Sequence, residues 1–132
     1  MEIRTVRLTP PALEKELMRI RTPCHALGEE ELDVIYGLGC ELEIDELYKN
    51  SRIPTADLEE FVERSVAARV FELGRADLLI SGVRSPFCFT LCHESDLHFE
   101  SEDSTQVELV SQAWLKAGIL RTPPPATFGS LP

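Results

Sequence analysis

Residues 70–100, VFELGRADLLISGVRSPFCFTLCHESDLHFE, constrain the fold more than any other part of the chain. Apolar residues recur there with the period of two that belongs to half-buried strands, and turn-forming clusters interrupt them. Val70 and Leu73, then Leu78 and Ile80, flank the turn Gly74-Arg75-Ala76-Asp77, and residues 81–86 supply a second turn. Phe87, Phe89 and Leu91 alternate with smaller residues, and Leu97 and Phe99 supply the matching face of a last strand. This spacing predicts an antiparallel meander over about residues 69–100.

Two registers compete at its end. A two-residue turn at Glu94-Ser95 pairs Leu91 with His98 and Phe89 with Glu100, which puts polar groups on the apolar face. A three-residue loop, Glu94-Ser95-Asp96, pairs Leu91 with Phe99 and His93 with Leu97 and keeps that face continuous. The second is preferred, and it sets Cys92 opposite His98 and Thr90 opposite Glu100. After it, Asp103-Ser104-Thr105 opens a helix over 104–117 with Val107, Val110, Trp114 and Ala117 on one face and Gly118 as its end. Thr105 and Glu108 stand at capping-box spacing. That helix should cover the apolar face of the meander, so the expected class is α+β.

The N-terminal half reads as helical. A short edge strand within residues 2–8 precedes the start Thr9-Pro10-Pro11 and a helix over 10–20 with Leu13, Leu17 and Ile20 on one face. Residues 21–28 read as a connection. Glu29-Glu30-Glu31 suits the first turn of a second helix with Leu32, Ile35 and Tyr36 inside, stopped by Gly37 and Gly39. Residues 40–50 fit a short strand or a short helix, with helix favoured. Thr55 opens another helix, in which Leu58, Phe61, Val62 and Val66 turn one way and Asp57, Glu59, Glu60 and Glu63 the other. Residues 1–120 thus form a single domain, followed by a proline-rich tail, 121–132, expected to be disordered.

A chain of 132 residues can build one core without disulfides, and no apolar run approaches the roughly 18–20 residues that cross a bilayer. No membrane association is expected. With no export signal in the N-terminal residues, the expected compartment is the cytoplasm, where Cys24, Cys40, Cys88 and Cys92 remain thiols. The net charge of −10 is concentrated. Residues 29–63 carry twelve acids against Lys49 and Arg52, and the remaining 11 acids and 11 bases cancel. Such a field repels phosphate backbones, which excludes direct nucleic-acid binding as the natural reading, and it attracts a basic protein.

Catalytic signatures are absent. There is no phosphate-binding glycine loop, dinucleotide fingerprint, Gly-x-Ser-x-Gly or His-Glu-x-x-His, so neither an enzyme nor a cofactor is expected. The densest chemistry is Cys92-His93-Glu94-Ser95-Asp96-Leu97-His98. Cys92 and His98 across a hairpin, with His93 or Asp96, offer three metal ligands, while Cys88 stands roughly 13 Å along the strand from Cys92. A turn whose polar groups bond backbone and water is the simpler account, so no metal is expected. The leading expectation is a non-enzymatic protein-binding module of the immunity or inhibitor kind. It would present Glu29, Glu30, Asp33, Glu41, Glu43, Asp57, Glu59, Glu60 and Glu63 to a basic partner such as a nuclease toxin. The alternatives are a metal- or thiol-dependent enzyme or regulator built on the Cys92–His98 hairpin, and a structural or assembly subunit.

Overall fold

Leu78, Ile80, Phe87, Phe89, Leu91, Leu97 and Phe99 are all buried, and their period of two makes them one face of a sheet. The computed structural model describes residues 1–121 and shows that sheet as six antiparallel strands in the order β1-β6-β5-β4-β2-β3. The strands are β1 (Glu2–Arg4), β2 (Glu31–Tyr36), β3 (Asn50–Pro54), β4 (Leu78–Gly82), β5 (Phe87–Leu91) and β6 (Leu97–Ser101). The helices are α1 (Pro10–Ala26), α2 (Leu58–Ala67) and α3 (Ser104–Ala117), with a 3-10 turn, Thr55–Asp57, leading into α2. The class is α+β, as expected: a meander, β4-β5-β6, packed by a C-terminal helix.

Asp103 caps α3 by accepting from the Thr105 N–H at 2.9 Å, and Gly118 ends it in the left-handed conformation. Val107, Val110 and Trp114 of α3 are buried, and Trp114 meets Phe89 edge-on at 6.4 Å between ring centroids. Leu13, Leu17, Ile20 and Cys24 of α1 and Leu58 and Val62 of α2 join the same core. The apolar face of the sheet is therefore the helical side. Its other face carries Asp33, Ile35, Leu79, Ser81, Cys88, Thr90 and His98, all half-buried.

The meander's last register differs from expectation. Leu91 pairs with Leu97, Phe89 with Phe99 and Thr90 with His98, so the loop is His93-Glu94-Ser95. Cys92 therefore faces Asp96 and not His98. The expected pairing is displaced by two residues, a slip that leaves each side chain on its own face, so the apolar pattern could not discriminate. Turn chemistry decides it. Ser95 takes φ 71, and the Ser95 N–H donates to Cys92 O at 3.0 Å, the three-residue hairpin of a turn followed by a left-handed residue. Thr5 Oγ1 also accepts from the Leu97 N–H at 2.9 Å, which anchors β6.

Four further expectations are corrected. Residues 31–36 form β2, with Leu32 and Val34 buried, because Leu-x-Val-Ile-Tyr fits either period and pairing with both β3 and β4 supplies what a helix could not. Residues 40–49 form turns and no helix, leaving Ile44 89% exposed, and the polar run Asn50–Pro54 is an edge strand without an apolar signature. No strand forms at 70–73. There the chain leaves α2 through left-handed Arg69, with the Val70 N–H returning to Ser65 O at 3.0 Å. Finally, α1 continues to Ala26 through Pro23, since Cys24, fully buried, extends its Leu13-Leu17-Ile20 face by another turn. The tail expected at 121–132 lies outside the described residues apart from Arg121, whose N–H donates to Arg4 O at 2.8 Å.

Candidate functional site

The nine acids expected to meet a partner separate into groups once residues 29–36 are a strand. Glu29 leaves the set. It is 1% exposed, and its carboxylate accepts from the N–H groups of Val83, Arg84 and Ser85 at 3.0, 2.8 and 2.6 Å, so it ties the β4–β5 turn to the start of β2. Asp33 lies on the sheet face away from the helices, where Asn50 Nδ2 and Arg52 Nε hydrogen-bond it at 2.9 and 3.0 Å. Those bonds hold its carboxyl below the usual carboxylate range. Glu30, Glu41, Glu43, Asp57, Glu60 and Glu63 are exposed, and Glu59 is half-buried.

Glu59 and Glu63 are brought to a groove between α1 and α2. Leu17 and Met18 come from α1, Val62, Val66 and Ala67 from α2, and Leu73 from the segment behind, enclosing about 250 Å³. Met18 and Val66 are 49% and 42% exposed and border the same hollow from the two helices. Glu14, Glu59 and Glu63 form the rim. Arg21 Nη1 approaches Glu59 Oε2 at 3.8 Å, while Glu14 and Glu63 have no cation within ion-pair distance among the described residues. Val66 also borders a second hollow of about 330 Å³, which includes Glu41, Arg69 and Glu72. Sequence reasoning named Glu59, Glu63 and Glu41 but missed Glu14 and Met18, because the groove needs two helices side by side and α1 was read only for its inward face.

The second candidate is the β5–β6 hairpin. Cys92 is buried and lies within 4.8 Å of ligand atoms of both Asp96 and His98, and equally of Asp77 and His93. The structure thus gathers the expected Cys92, His93 and His98 around one thiol. Asp77 was missed, since it reaches the hairpin from the turn before β4. Asp77 Oδ1 accepts from the His93 N–H at 2.7 Å and contacts His93 Nδ1 at 2.8 Å, and this bond raises the His93 pKa. Burial pushes the Cys92 thiol up to about 11, with the Asp96 and Asp77 carboxylates acting in the same direction against a hydrogen bond from the Glu94 N–H. Such a thiol is protonated at neutral pH, which is unlike an activated nucleophile.

No family model matches the chain, and no curated protein or solved structure matches it either. No helix among the described residues is long and apolar enough to cross a membrane.

Proposed function

We propose that this chain is a non-enzymatic protein-binding module that docks on a basic partner through the α1–α2 groove, in the manner of an acidic immunity or inhibitor protein covering a nuclease toxin. The observation that carries this reading is the coincidence of an open apolar groove with a carboxylate rim, to which Glu59 and Glu63 come from the segment that holds the charge excess and Glu14 from α1. Apolar floors supply affinity when a partner side chain fills them, whereas a charged rim steers the encounter and selects a basic surface. On this reading Glu59 and Glu63 take the place of phosphates on the partner's basic surface.

The test is co-purification from the native cell with Glu59→Lys/Glu63→Lys beside the natural chain. A basic protein held by the natural chain, released by salt and lost from the double variant is the expected result. Identical capture by both would remove the groove as the docking site and favour an assembly subunit whose acidic face serves only solubility.

A further inference from the structure

The hairpin cluster is left unused by the docking groove, which lies on the helical side of the sheet. We propose that Cys92, Asp96 and His98 form a zinc-binding site on the opposite face, with three protein ligands and an open fourth position. Thiolate, carboxylate and imidazole are all zinc ligands. Their candidate atoms lie within 4.8 Å of one another. Metal bonds of about 2.0–2.3 Å place tetrahedral ligands roughly 3.3–3.8 Å apart, so small side-chain rotations bring the three into range.

Asp96 supplies the independent observation. The residue is 5% exposed, Oδ2 contacts His98 Nε2 at 3.1 Å, and buried Oδ1 has no hydrogen-bond partner among the described residues. A buried carboxylate oxygen without a partner is costly, and a cation between it, the thiol and the imidazole satisfies it. On its other side His98 has a carboxylate nearby, beyond hydrogen-bond distance. Its Nδ1 faces Glu2 Oε2 at 3.9 Å, and Glu2 is held by Arg4 Nε at 2.8 Å, leaving Nε2 for the metal. The neighbouring group around Asp77 lacks this vacancy, because Asp77 Oδ1 is already taken by His93. Asp96 further borders a cleft of about 410 Å³ with Arg7, Glu94 and Arg121. Binding exchanges the Cys92 S–H proton for Zn²⁺, and the proton passes to solvent.

The full chain, stripped with chelator, is titrated with Zn²⁺ against a chromophoric chelator and separately with Co²⁺. The expected result is one equivalent of metal per chain and a thiolate-to-cobalt charge-transfer absorption. Cys92→Ser, Asp96→Asn and His98→Gln should each weaken binding at least about tenfold, with His93→Gln little changed. Circular dichroism of the metal-free variants checks their folding, and the cobalt spectrum of the natural chain decides the matter if one of them fails to fold. No stoichiometric metal, no charge-transfer band, or unchanged binding by Cys92→Ser overturns the proposal. So does a larger loss in His93→Gln than in His98→Gln, which would move the ion to Asp77.

Discussion

Glu29, Glu30 and Glu31 are three identical letters with two different fates. Glu29 is buried and accepts three backbone N–H bonds, whereas Glu30 and Glu31 face solvent. Removing a buried charged acceptor leaves its donors unpaired, so Glu29→Ala should cost about 3 kcal/mol or more in urea unfolding, while Glu30→Ala should change little. Nothing in the run distinguished them, since the difference is made by a turn more than fifty residues away. Asp33 carries a pH signature. Its pKa is depressed by the Arg52 and Asn50 bonds, so its contribution is present above the unfolded value of about 3.9 and is lost as pH falls through the depressed one. The pair is largely solvated, which keeps the contribution small. Arg52→Ala should return the Asp33 carboxyl toward its ordinary pKa in an NMR titration, and an unmoved Asp33 would contradict the pairing.

At the scale of elements, legibility followed how far an element's neighbours are written into its own residues. Phe87, Phe89, Leu91, Leu97 and Phe99 alternate strongly enough to show a meander, and Val107, Val110 and Trp114 show the helix that covers it. The hairpin register was not legible, because a two-residue slip preserves both faces and only the left-handed Ser95 and the Thr5 anchor settle it. β3 was hidden for another reason. Asn50, Ser51 and Arg52 on an edge strand are exposed and carry no apolar alternation, and Arg52 with Pro54 discourages a further strand from pairing there. The end of α2 holds a side chain where glycine is preferred, with Arg69 at φ 61. Arg69→Gly should therefore stabilise the chain by about 0.5–1 kcal/mol, as read by thermal or urea unfolding, through relief of that conformation. A loss of stability would show that the exposed Arg69 side chain does more than cap.

For the molecule as a whole, the charge map read from the sequence survives but its geometry changes. Twelve acids in one segment were expected as the outer faces of consecutive helices. They are instead divided between a strand buried on one side, a set of turns, and α2. Two of the twelve, Glu59 and Glu63 of α2, meet Glu14 of α1 over the apolar floor of the groove. The candidate site was half legible, because α2 announces its carboxylates while the facing residues of α1 depend on how two helices pack. Filling the groove and reversing its rim are separable. Val66→Asn should abolish capture by spoiling the floor at unchanged net charge, with fold intact because Val66 is 42% exposed. Glu59→Lys/Glu63→Lys should slow association and remove its salt dependence. The most direct measurement is the salt dependence of partner association for the natural chain and that double variant, using the protein that co-purifies from the native cell. A basic partner whose affinity falls steeply with salt for the natural chain, and weakly or not measurably for the variant, is the expected result. Equal affinities and equal salt slopes for the two chains would contradict docking through the acidic groove.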